Sequence, residues 1–174
     1  LEDSYSCNFN VLINGVPKVL GVKALLEEWI AFRIECVKRR TYFDRTKKAE
    51  KLHLLNGLAK ILLDIDKAIK IIRETDEEVE VVPNLMIGFG IDKIQAEYVA
   101  EIKLRHLNRE YILKRTKDIE NLEKEIADLD EILKSKSRIK TIIVKELKEV
   151  AEKYGQPRKS IIIYNDTSKY EEEI

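Results

Sequence analysis

The sequence predicts a mainly α protein: a long antiparallel coiled-coil arm with a small helical globular tip and a short β-sheet at its base. Three observations carry this. In residues 109–134, Ile119, Leu122, Ile126, Leu129 and Leu133 step by 3, 4, 3 and 4, the seam of a two-stranded coiled coil. In residues 22–73, Leu52, Leu55, Ala59, Leu62, Ile65 and Ile69 keep nearly the same rhythm. Across 174 residues there are only 6 glycines and 3 prolines, while 37% of residues are charged, a composition that favours long helices.

Each element follows from its own residues. Residues 9–20 read as two short strands around Asn14-Gly15, the dipeptide that suits a type I′ hairpin turn. Pro17 limits the second strand to an edge, because it has no N–H to donate. A first helix over 22–73 is interrupted by no proline and would run about 75 Å at roughly 1.5 Å per residue. Its early part, including Leu25, Trp29, Phe32 and Val37, is apolar over a broad face and should pack into a globular base. Gly57 marks a close approach or a bend.

Thr75 and Glu78 fit a capping box, and the short helix they open should end or kink at Val82-Pro83. Asp92 and Gln95 form a second box and open a helix over 93–104. Asn108 is the expected N-cap of the returning helix. The run from Ser135 to Arg138 breaks the heptad, and a last helix over 139–154 stops at Gly155. A strand over 161–164 would join the hairpin. The expected organisation is therefore base strands at 1–21 and 155–174, an arm at 22–73 and 109–154, and a tip at 74–108. The chain opens on Leu1 and ends in a charged tail, so it reads as a piece of a longer protein.

The formal net charge is zero, so any attraction to nucleic acid must come from local clustering. Pairing the helices about the tip sets Arg45 near Ile139, Leu52 near Ile132 and Ile72 near Ile112. That register gathers Lys38, Arg39, Arg40, Arg45, Lys47 and Lys48 beside Lys134, Lys136, Arg138 and Lys140, one basic zone near the base. Phosphate contact and a plain solvated helix face are the two readings. Catalytic patterns are missing. His53 and His106 stand without a Cys, Ser or carboxylate motif, and pairs such as Asp64/Asp66 do not share a helical face. Gly88-Phe-Gly90 lacks the spacing of a nucleotide loop. Cys7 and Cys36 read as reduced thiols of a cytoplasmic protein, and no apolar run is long enough for a membrane span. An adaptor arm that meets a protein or RNA partner at its tip would share this architecture.

The motifs, taken in order, resemble the A subunit of bacterial type IIA DNA topoisomerases, DNA gyrase and topoisomerase IV. Asn14-Gly-Val-Pro-Lys-Val-Leu20 looks like the family's strand before the long helix, and Lys38-Arg-Arg-Thr-Tyr-Phe43 is similar to its R-R-T-x-[FY] signature. Lys51-Leu-His-Leu-Leu-Asn-Gly-Leu58 resembles R-x-H-I-L-x-G-L, and Asp66, Ile69 and Ile72-Arg73 follow its continuation. Gln95-Ala96, Ile102-Lys-Leu-Arg-His-Leu107 and Tyr154-Gly155 with Arg158-Lys-Ser160 complete the series. Lys51 replaces a common Arg, Ser160 a common Thr, and Asn108-Arg109 stands where Thr-Gly is usual in gyrase.

The resemblance implies an arm whose tip is the exit gate, closed by a second A subunit in an A2B2 complex with the B subunit. Duplex DNA leaves through that gate. The B subunit holds ATP and Mg²⁺, while the catalytic tyrosine belongs to a region upstream of residue 1, so the segment itself carries no catalytic residue, cofactor or metal. Ala96, Val99, Ile102 and Leu104 are the candidate gate contacts, because the insert holds more apolar residues than its small core requires. Lys38, Arg39 and Arg40 are the candidate DNA-backbone contacts.

Overall fold

A computed structural model describes residue 6 and residues 8–161. It is mainly helical. A two-stranded antiparallel sheet, β1 (Phe9–Ile13) and β2 (Val16–Leu20), is followed by α1 (Val22–Leu62), α2 (Ile65–Glu74), α3 (Glu78–Phe89), α4 (Lys93–Ala100), a 3-10 turn (Leu104–His106), α5 (Arg109–Lys134) and α6 (Lys136–Tyr154). The hairpin forms as its sequence dictates. Asn14 and Gly15 both take positive φ (52° and 79°), and Ile13 pairs with Val16 across a two-residue loop. The expected third strand lies outside the described residues apart from Ile161, which is exposed and irregular.

The first helix is shorter than the periodicity implied. It stops at Leu62, and Asp64 caps a separate α2 by accepting from the N–H of Lys67 at 3.1 Å. A rod of 41 residues spans about 60 Å. The apolar rhythm continues through Leu62, Ile65 and Ile69, so periodicity alone could not reveal the break. The helix after it swings away from α5 and joins the tip core.

Three further local expectations are not met as stated. Thr75 builds no capping box: its hydroxyl donates to the Ile71 carbonyl at 2.7 Å and accepts from Asn84 at 3.1 Å, and Glu77 is the N-cap of α3. Pro83 sits inside α3 rather than ending it. In the second turn it costs one donor bond, and the carbonyl it forsakes belongs to the exposed Val79. Helix α4 ends at Ala100, four residues earlier than expected, with Leu104 in the following 3-10 turn. Other signals hold. Asp92 and Gln95 make a complete capping box, Asn108 accepts from the N–H of Tyr111 at 2.9 Å, and Ser135 both ends α5 and caps α6.

Three apolar clusters run along the molecule. The tip has its own, with Ile61, Ala68, Leu85, Ile91 and Ala96 all buried. Leu55, Leu58 and Leu122 fill the arm beneath it, and Val37, Ile139 and Ile143 form a narrow seam near the base. The broad apolar face of early α1 packs into no base among the described residues. Leu26, Trp29, Ile30 and Phe32 are exposed, as are Leu12, Val16 and Val19 of the hairpin and Val144 and Val150 of α6.

Candidate gate and nucleic-acid interface

At the upper end of the arm, Gly57 lets α4 lie directly on α1. A Cβ there would stand 2.6 Å from the Cβ of Gln95, closer than carbon atoms approach. Gln95 uses that contact fully. Its side chain donates to the His53 carbonyl at 2.7 Å and accepts from the N–H of Asp92 at 3.2 Å. The His53 imidazole meets the Asp92 carboxylate. Asp92 is held below the usual carboxylate range, first by the Gln95 N–H, then, against the opposing effect of burial, by His53. His53 is therefore a structural latch between arm and tip. Lys60 and Lys67 add to it by donating to the carbonyls of Gly90 and Gly88, at 2.9 and 2.6 Å, at the C-terminal end of α3.

The four candidate gate residues separate on this scaffold. Ala96 is 0% exposed in the tip core, so it offers no surface to a second copy; its small size serves packing inside one chain. Val99 touches both the tip and the arm clusters, and Ile102 packs against the arm cluster. Leu104 alone of the four is a surface residue, 76% exposed on the 3-10 turn. Ile94 in the first turn of α4, 64% exposed, and Val79 and Ile87 of α3, both 83% exposed, are further apolar surface residues of the tip outside the four candidates. No local signal marks Ile94 as exposed, because the buried side of α4 is set by Gly57 and α3. His106 stacks on Tyr111 with ring centres 5.6 Å apart, and Arg115 lies 4.8 Å from the same ring, which ties the turn to the start of α5.

At the lower end the register differs from expectation. Arg45 binds Asp130 at 3.0 Å, nine residues short of Ile139, and Lys48 binds Glu125 at 2.6 Å. The shift follows from the early end of α1, which brings the turning point of the arm closer. It divides the basic zone. Arg45 and Lys48 fall opposite acids of α5, and Arg138 turns back onto Asp128 and Glu131 at 2.7 and 3.1 Å. Val37 packs on Ile139, so Lys38, Arg39 and Arg40 remain level with Lys136 and Lys140.

Those three candidate contacts are consecutive on one helix and so point about 100° apart. Lys38 pairs with Glu35 at 3.1 Å, an exposed contact worth little. Arg40 binds Glu146 of α6 at 2.5 Å, and Arg33 binds the other oxygen of the same carboxylate at 2.6 Å. Burial pushes the Glu146 carboxyl up, but the hydrogen bonds from Arg33 and Arg40 outweigh it and hold its pKa below the ordinary value. Arg39 is exposed and, among the described residues, its one side-chain hydrogen bond is to the sulfur of Cys36, at 3.6 Å. Among the described residues no helix is long and apolar enough to cross a membrane.

This geometry of arm, sealed tip and partly paired basic base can be set against known proteins. The family model for the A subunit of DNA gyrase/topoisomerase IV matches residues 1–148. The A subunit of DNA topoisomerase 4 from Salmonella typhimurium is 39% identical over 170 residues, covering 97% of this chain and 22% of that protein. The Escherichia coli K12 protein of the same name is 38% identical over the same shares. The DNA gyrase A subunit of Synechocystis is 32% identical over 166 residues, 95% of this chain and 19% of that protein. The chain thus spans about a fifth of the length of the relatives it matches.

Proposed function

This chain belongs to the family of DNA gyrase/topoisomerase IV A subunits, and we propose that it forms the coiled-coil arm and exit gate of a type II DNA topoisomerase. In this reading the tip pairs with the tip of a second A subunit, the two arms enclose a cavity, and duplex DNA leaves when the tips part. ATP hydrolysis and its Mg²⁺ belong to a B subunit in an A2B2 assembly, and strand cleavage belongs to regions of the parent protein outside this segment. The segment works as mechanics.

One observation supports the gate above the rest. The tip closes its own core at the end of a rod of about 60 Å, yet leaves Leu104 standing out on a turn tied to α5 by the His106–Tyr111 stack, with Val79, Ile87 and Ile94 exposed around the same tip. An exposed leucine on a fixed turn suits repeated docking and release. The base supports the complementary half of the reading. Its open apolar face is too broad for a free surface and fits a larger body to which the arm is joined.

Sedimentation equilibrium over a wide concentration range tests the gate. A monomer–dimer equilibrium that Leu104→Asp abolishes, with the helical content unchanged, is the expected result. A monomer at every concentration, or a dimer indifferent to Leu104→Asp, would remove the tip from the interface. Ala96→Arg is unsuitable as the probe, since a charge at that buried position would break the tip core.

A further inference from the structure

We infer that Arg33 and Arg40 form an anion site at the base of the arm whose resident occupant is Glu146 and whose exchange ligand is a backbone phosphate of duplex DNA. The inference rests on the proposed DNA contact at Lys38–Arg40 and specifies how that contact is regulated. Arg33 and Arg40 lie seven residues apart, two turns along one face of α1, with Val37 between them. Their guanidiniums converge on the two oxygens of one carboxylate, at 2.6 and 2.5 Å. Val37, Ile139 and Ile143 form a sealed apolar floor beneath, so the convergence is set by the packing of α1 on α6.

The charge balance distinguishes this place from every other ion pair in the described residues. Elsewhere a cation has one carboxylate, as Arg45 has Asp130, or two, as Arg138 has Asp128 and Glu131. Among the described residues only Glu146 serves two cations. The site keeps one uncompensated positive charge, with Arg39, Lys136 and Lys140 exposed nearby and without a carboxylate within 4 Å among the described residues. A phosphodiester offers what Glu146 offers, two terminal oxygens sharing a single negative charge, and guanidiniums accept either. Arg40 is half exposed and the Glu146 side chain 28% exposed, so the carboxylate can swing into water as a phosphate enters. Glu146 thus weakens the hold of the base on DNA, as suits a passage that must release what it admits.

Fluorescence anisotropy of a labelled 20-base-pair duplex against the whole chain at low salt tests this. Glu146→Gln keeps the shape and removes the charge. It should tighten binding about 3- to 10-fold and steepen the dependence of log affinity on log salt by about one phosphate. Glu149→Gln removes the same charge from a largely exposed pair with Lys145 and should do far less. Adding Arg40→Gln to Glu146→Gln should cancel the gain. Equal gains from Glu146→Gln and Glu149→Gln would overturn the site in favour of net charge.

No gain from Glu146→Gln, while Arg39→Ala still weakens binding, would overturn the exchange and leave the DNA contact standing. No effect from either variant would remove both. Should Glu146→Gln unfold on circular dichroism, Arg40→Gln with Glu146 in place reads the same site. It must weaken duplex binding for the site to survive.

Discussion

The two ends of the arm are joined to it by different chemistry. At the tip, bare backbone at Gly57 receives Gln95, and the buried Leu58, Leu85 and Ala96 close a core around which Val79, Ile87, Ile94 and Leu104 stand exposed. At the base, α1 and α6 share one narrow apolar seam and depend on charged side chains at its margins. The apolar surface of the base faces outward, including Leu12, Val19, Phe32 and Val150. In the proposed reading a gate parts from its twin without coming apart itself, which a core packed within one chain allows. An anchoring end has no such requirement, and its exposed face fits continuation into a larger structure.

Core truncation should separate the two ends most sharply. Leu85→Ala, fully buried in the tip, should cost about 2–5 kcal/mol in urea unfolding, since it leaves a cavity among Ile61, Ala68 and Ile91. Leu12→Ser on the exposed hairpin face should change stability by no more than about 0.5 kcal/mol. Similar costs for both would break the contrast between a sealed tip and an open base. Next in size is Gly57→Ala, where the new methyl must push Gln95 aside, at about 1–3 kcal/mol. Amide hydrogen exchange sharpens this one: protection should fall in α4 and stay unchanged in α6.

The same contrast explains how much could be read from residues alone. Local grammar was legible. Asn14-Gly15, Asp92 with Gln95, Asn108 and Ser135 each specify their turn or cap through a short-range hydrogen bond or a backbone preference. Tertiary placement was less so. The end of α1 at Leu62 hides beneath unbroken apolar spacing, and only Asp64, read as an N-cap, signals it. Missing that break shifted the register of the arm by about two helical turns and merged cations that the fold sets against acids. Ala96 was mistaken for surface because α4 is apolar on more than one side; which side is buried depends on Gly57 and α3, both outside the helix. The shared carboxylate of Glu146 could not be foreseen, being 106 residues from Arg40.

Charge pairs give the smaller effects and locate the base more finely. A double-mutant cycle between Arg45 and Asp130 should return about 0.2–1 kcal/mol at low salt, because both side chains are more than a third exposed. In about 1 M salt, where the screening length is roughly 3 Å, most of that coupling should vanish. Leu85→Ala should cost as much in either salt. A coupling that survives high salt would mean the arm register is set by buried contacts at that level.

The smallest effect tests the latch at the tip. Asp92 has a pKa below its ordinary value, so its stabilising contribution is complete above the unfolded value of about 3.9 and is lost as pH falls through the lower folded value. Asn at this position still caps the helix, so Asp92→Asn removes the charge and little else. Thermal melts should place the variant below the wild type at pH 6, with the gap closing in the acid range below about pH 4. Comparing the two proteins cancels every other carboxylate that titrates in that range. A gap unchanged at the lowest pH would show that Asp92 acts on the tip through shape, and that the contact with His53 adds nothing by charge.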